Sequence, residues 1–146
     1  MKRRDFIVTG SQVGLGFCFA AICGVGCGSA AYFAQAAVDA NKVSVPKSEF
    51  QYLKKSETQE RPYVFVKPPG AEFPVCLYKS GDTYLACLMR CTHQGCEVEV
   101  QGSRYVCPCH GSEFTTAGDV LEGPADQPLK TFKTSQDETF IHIWLA

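Results

Sequence analysis

Two short stretches decide how this chain reads: Cys91-Thr92-His93-Gln94-Gly95-Cys96 and Cys107-Pro108-Cys109-His110-Gly111-Ser112-Glu113-Phe114. Each offers a cysteine and a histidine two or three residues apart, so each can grip metal with one thiolate and one imidazole, and each carries a further cysteine. Two sulfurs and two ring nitrogens suit two chemistries. One is a tetrahedral zinc site. The other is a [2Fe–2S] cluster with two cysteines on one iron and two histidines on the other. Zinc sites more often use Cys-x-x-Cys grips and rarely hold a spare cysteine in both loops.

Outward from these stretches the chain alternates β-like runs with turn residues. Tyr63-Val64-Phe65-Val66 predicts a strand closed by Pro68-Pro69-Gly70. Val75–Tyr78 and Thr83–Leu88 predict a hairpin about Ser80-Gly81-Asp82, Val98–Val100 and Arg104–Val106 another about Gln101-Gly102-Ser103, and Thr131–Lys133 with Phe140–Leu145 the last. No amphipathic helix interrupts them. The expected fold is all-β, a small antiparallel sandwich or barrel with two metal-binding loops. Cys76 and Cys87 fall on one face of their hairpin and read as small buried residues, a second disulfide being the alternative. His142, between Ile141 and Ile143, reads as structural.

The paired loops resemble those of the Rieske family, and the likeness continues through Gly123-Pro124-Ala125 and Pro128-Leu129. In Rieske proteins of quinol-oxidising cytochrome complexes a similar Gly-Pro-Ala stretch covers the cluster as a third loop. The resemblance implies that Cys91 and Cys107 ligate one iron, that His93 and His110 ligate the other, and that Cys96 and Cys109 form a disulfide between the loops. It makes His110, then His93, the contact for quinol and for the proton that accompanies the electron. Ser112 matches a family serine that donates to a bridging sulfide. Phe114 stands where many high-potential members have Tyr, which implies a lower potential here, and Gln94 stands where Leu is common at the quinol contact. Gly123 and Pro124 complete the surroundings of the cluster. The segment between Cys96 and Cys107 is shorter than in typical complex-bound members.

The amino-terminal part differs in composition. Residues 6–38 contain no Asp, Glu, Lys or Arg. Lys2-Arg3-Arg4-Asp5-Phe6-Ile7 resembles a twin-arginine export signal, and about 20 apolar residues suffice to span a bilayer. We read residues 1–38 as signal and transmembrane anchor, its basic end cytoplasmic and the β-domain on the periplasmic side of a bacterial membrane. Gly24, Gly26 and Gly28 offer a small-residue face for another helix. Ala34-Gln35-Ala36 resembles a signal-peptidase site, and cleavage after Ala36 would release a free carrier. Residues 39–60 are polar, of mixed charge and hold Pro46, which predicts a tether, with a first strand about Phe50–Leu53 as a compatible reading. Residues 61–146 are then the metal-binding domain.

The chain has 146 residues and a net charge of −1. Outside the first four residues no basic cluster appears, which excludes nucleic acid as a partner. Of nine cysteines, Cys18, Cys23 and Cys27 lie in the apolar segment, and an odd total excludes complete internal pairing. By resemblance the expected role is the electron-transfer subunit of a quinol–cytochrome c oxidoreductase, not catalytic alone. It would accept an electron from quinol at a cytochrome b subunit and pass it to a c-type cytochrome. The rivals are the small subunit of an exported molybdenum oxidase of the arsenite-oxidase kind, a free periplasmic carrier, and a zinc-stabilised binding domain.

Overall fold

The computed structural model describes residues 31–145. They form thirteen strands and one turn of 3-10 helix. In chain order these are β1 (Ala37–Asp39), β2 (Lys42–Pro46), the helical turn Lys47–Phe50, β3 (Gln51–Lys54), β4 (Glu57–Glu60), β5 (Tyr63–Val66), β6 (Val75–Ser80) and β7 (Thr83–Leu88). They continue with β8 (Glu99–Gln101), β9 (Arg104–Val106), β10 (Glu113–Thr115), β11 (Val120–Glu122), β12 (Thr131–Gln136) and β13 (Phe140–Trp144). The all-β expectation holds over this range.

The large sheet has the order β1-β2-β13-β12-β7-β6-β5, and a four-stranded sheet has the order β11-β10-β9-β8. A separate hairpin joins β3 to β4. All named pairs are antiparallel. The hairpins expected about Gly81 and Gly102 form with those glycines at φ +60° and +63°, left-handed backbone that glycine adopts without a Cβ clash.

Strands β5–β7 lie between two cores. Side chains alternate across a strand, so Val64, Val66, Val75, Leu77 and Ala86 face one core with Val43, Val45, Phe50, Ile141 and Ile143. Phe65, Cys76 and Cys87 face the other with Met89, Cys91, Tyr105, Cys107 and Phe114. Burial on both faces explains why Tyr63–Val66 reads as an unbroken apolar run. The second of these cores joins the four-stranded sheet, through Tyr105 and Phe114, to the large sheet.

The stretch expected to be a tether departs from that expectation. Within residues 39–60, β2 pairs with the carboxy-terminal β13 from Lys42↔Trp144 to Phe140↔Pro46. Val43, Val45 and Phe50 are among the most deeply buried side chains. The signal was a short alternation, Lys42-Val43-Ser44-Val45, diluted by polar neighbours; its apolar partners lie about a hundred residues further along the chain.

Residues 31–38, the last part of the expected anchor, are extended chain on the domain. Phe33 bridges to Phe65, the Ala34 N–H donates to the Phe65 carbonyl at 2.8 Å, and the Phe65 N–H donates to the Tyr32 carbonyl at 2.9 Å. Among the described residues no helix is long and apolar enough to cross a membrane. The expected transmembrane helix, the twin-arginine motif and Cys18, Cys23 and Cys27 lie outside the described residues.

Candidate metal centre

Two turns of the same construction build the site. The first links β7 to β8: the Gly95 N–H donates to the Cys91 carbonyl at 2.9 Å and the Cys91 N–H to the Cys96 carbonyl at 2.8 Å. The second links β9 to β10: the Gly111 N–H donates to the Cys107 carbonyl at 2.9 Å and the Cys107 N–H to the Ser112 carbonyl at 2.8 Å. Gly95 and Gly111 share φ +78°, left-handed backbone that closes each turn. The sequence carries a signal for this likeness, a glycine four residues after each leading cysteine, which the reading by ligand spacing passed over.

The turns bring the expected residues together. Cys96 and Cys109 are disulfide-bonded with Cα atoms 6.5 Å apart, tying one turn to the other. That bond removes both sulfurs from the ligand pool. Cys91 and Cys107 remain as free thiols, 2% and 1% exposed. The sulfurs of Cys96, Cys107 and Cys109 lie within 4.8 Å of one another; with two of them bonded together, this is a disulfide beside a single thiol and not a three-thiolate site. The rings of His93 and His110 stand 4.8 Å apart at 89°. Nδ1 of His93 is buried without a hydrogen-bond partner. A buried ring nitrogen left unpaired is costly, and a metal bond is the partner that its position invites. His110 is exposed. Two inward thiols, two crossed imidazoles and one orphaned nitrogen fit a group that takes two sulfurs on one side and two nitrogens on the other.

A third loop, between β11 and β12, closes over the pair. The Ala125 N–H donates to Ser112 Oγ at 3.0 Å, and Ser112 is fully buried. Thr92 Oγ1 donates to the Gln127 carbonyl at 2.6 Å. The third loop is thus bonded to each metal-binding turn, and the Thr92 link was not anticipated. Gly123 and Pro124 are joined by a cis bond and are exposed, and Gln94 is exposed beside His93. Phe114 is buried in the core beneath Cys91 and Cys107.

Behind the turns lies a cluster of free thiols. Cys76 and Cys87 sit directly opposite one another across β6 and β7 and are fully buried. Cys87 Sγ donates to the Thr116 carbonyl at 3.5 Å, and the Tyr105 hydroxyl donates to the same carbonyl at 3.4 Å. Burial pushes the Cys76 thiol up to about 12 and the Cys87 thiol up to about 11, and it raises Tyr105 well above the usual phenol range. All three are therefore neutral at ordinary pH. His142 is structural as expected: its Nδ1 lies 2.9 Å from Ser44 Oγ and its Nε2 3.0 Å from Asp137 Oδ2.

Fold and site together define a class: a small β-domain that grips metal between two disulfide-tied turns. The description "Rieske [2Fe-2S] domain" matches residues 48–133, and the chain belongs to that family. Its cofactor is a [2Fe–2S] cluster and its role is that of a Rieske electron carrier. Over 58 residues it is 41% identical to "Cytochrome b6-f complex iron-sulfur subunit 1" of Synechocystis sp. (strain ATCC 27184 / PCC 6803 / Kazusa), covering 37% of this chain and 33% of that protein. Over 42 residues it is 60% identical to "Putative Rieske 2Fe-2S iron-sulfur protein YhfW" of Bacillus subtilis (strain 168), covering 27% of this chain and 8% of that one. The match thus spans a third or less of these relatives. Among solved structures, the cyanobacterial plasma membrane Rieske protein PetC3 from Synechocystis PCC 6803 aligns with a TM-score of 0.50 at 32% identity, over 56% of this chain and 85% of that one.

Proposed function

We propose that this chain takes single electrons from quinol at a cytochrome b subunit and passes them to a c-type cytochrome, with Cys91 and Cys107 on one iron and His93 and His110 on the other. The observation that carries the reading is the sorting of the site's sulfurs and nitrogens. The disulfide consumes Cys96 and Cys109, which leaves two buried thiols, two crossed imidazoles and the unpartnered Nδ1 of His93. The relatives named as subunits of cytochrome b6-f complexes support the choice of complex.

When bound, the cluster accepts and returns one electron at a time. The chain's own residues handle the proton. With Nδ1 of His93 turned inward, its Nε2 is the nitrogen left toward the surface, and the His110 ring is exposed. A quinol hydroxyl hydrogen-bonded to Nε2 of His110 can leave its proton there. Proton transfer to these outer ring nitrogens would then accompany the passage of the electron. An anchor in the segment before residue 31 would hold the domain at the periplasmic face of a bacterial membrane. Because β2 is a strand of the large sheet and Val43, Val45 and Phe50 lie in its core, we place the hinge for movement between donor and acceptor before Lys42.

The test is purification of the chain from its native membrane. It should be coloured, give an EPR signal of low average g on reduction, and co-purify with cytochrome b haem. Its potential should fall with rising pH by about 60 mV per unit for each coupled proton. A colourless, iron-free chain would overturn the reading, and co-purification with a molybdenum cofactor instead would move the chain to another complex.

A further inference from the structure

We propose that the recess beside His93 docks an acidic patch of the protein that receives the electron, an inference that rests on the electron-carrier reading above. The recess has a volume of about 480 Å³ and is walled by Arg90, Thr92, His93, Gln94, Gln127 and Lys130 among others, with no Asp or Glu. Arg90 is held in place there. Its Nε lies 3.3 Å from where a Cβ on Gly95 would be, and its guanidinium carbon lies 5.8 Å from the Phe73 ring centroid. Lys130 Nζ lies 5.1 Å from the Phe132 ring centroid. Both side chains are exposed, and among the described residues neither forms an ion pair with a carboxylate.

The setting makes the pair distinctive. Residues 31–145 hold eleven Lys and Arg against fourteen Asp and Glu, yet the charged side chains that line this recess, Arg90 and Lys130, are both cations. Two unneutralised cations therefore flank the point where a metal-site histidine reaches the surface. Charges at such a rim act mainly on encounter and orientation. They would hold an acidic partner against His93, the short approach that electron transfer requires. Both cations are exposed, each a point charge without a buried donor beside it. That suits carboxylates carried on a protein surface better than a small anion that has to be enclosed.

The test uses the full chain in detergent and two forms of one probe, a basic cytochrome c and its succinylated derivative, whose lysines have become carboxylates. Affinity is measured at low and high ionic strength. Electron transfer from the ascorbate-reduced chain, one electron per haem, is followed in parallel. Replacing both cations, R90Q with K130Q, is expected to weaken binding of the succinylated form about tenfold at low salt and to leave the basic form unchanged or tighter. The difference should vanish near 0.5 M salt, where screening is within a few ångströms. K130Q alone should show the same direction, and it stands outside both metal-binding turns. Equal binding of the succinylated form by wild type and both variants overturns the proposal. So does competition by free citrate with cytochrome binding unaffected by the variants, which would make the recess a small-anion site. A coloured chain indifferent to Arg90 and Lys130 sinks the recess alone. An iron-free chain that still binds the acidic probe through them sinks the electron-carrier reading and leaves the recess standing.

Discussion

Ser112 shows how one side chain joins the site's loops. Its Oγ accepts the Ala125 N–H, which leaves its own proton for another acceptor; under the proposed function that acceptor is the cluster. A hydrogen bond to a charged acceptor contributes about 1.5–3 kcal/mol, equivalent to about 65–130 mV for one electron. Ser112→Ala should lower the midpoint potential by that order, read by EPR-monitored redox titration, and should weaken the third loop's hold on the second turn. Phe114→Tyr should raise the potential if its hydroxyl finds a ligand sulfur. Because Phe114 is fully buried, the added atom should also cost about 1–3 kcal/mol of stability through overpacking, read from urea unfolding. At this scale the sequence was highly legible. Each metal-binding turn is closed by its own backbone hydrogen bonds, so ligand spacing along the chain is spacing in space. Thr92's bond to Gln127 and the two cations of the recess were not legible, because their partners come from other elements.

Among the elements, the entry of the chain into the domain is the part most at odds with the expected tether. Arg61 stacks between Tyr32 and Tyr52, its guanidinium carbon 3.9 Å and 4.6 Å from their ring centroids, and it donates to the carbonyls of Glu49 and Gln51. Glu49 in turn accepts from the Tyr32 hydroxyl and the Gln35 N–H, each at 2.9 Å. Arg61→Ala should cost about 1–2 kcal/mol by loss of two cation–π contacts. It should also speed chymotryptic cleavage at Tyr32 and Phe33 severalfold while the EPR signal is unchanged. The disulfide works at the same scale, closing a loop with a separation of 13 residues. Replacing Cys96 and Cys109 together by Ala should lower stability by about 3 kcal/mol, the entropy expected for a loop of that length. The two turns should then part more readily, with faster iron loss to a chelator.

At the scale of the whole molecule, Asp137, in the turn between β12 and β13, ties stability to acid pH. Asp137 accepts the N–H groups of Phe140 and Thr139 at 2.7 and 2.8 Å and faces His142. These bonds, the Phe140 and Thr139 N–H donors first, hold its carboxyl down at about 2, from an ordinary 3.8. A depressed folded-state value means that the contribution is complete above pH 4 and is lost as pH falls from about 4 to about 2. Asp137→Asn should flatten the stability curve across that window, measured by urea unfolding at stepped pH. The same scale separates what could be read from what could not. By itself the sequence determined the metal-binding turns, the glycine-centred hairpins and the all-β class, because a turn, a two-residue period and a ligand pair are local properties of a few neighbouring residues. Tertiary structure alone decided that Val43 and Val45 belong to the core beside Ile141 and Ile143, that β5–β7 are buried on both faces, and that Arg90 and Lys130 line one recess with His93. Those outcomes depend on pairing between distant segments, and the energy that selects a distant partner is shared between both strands and written in neither.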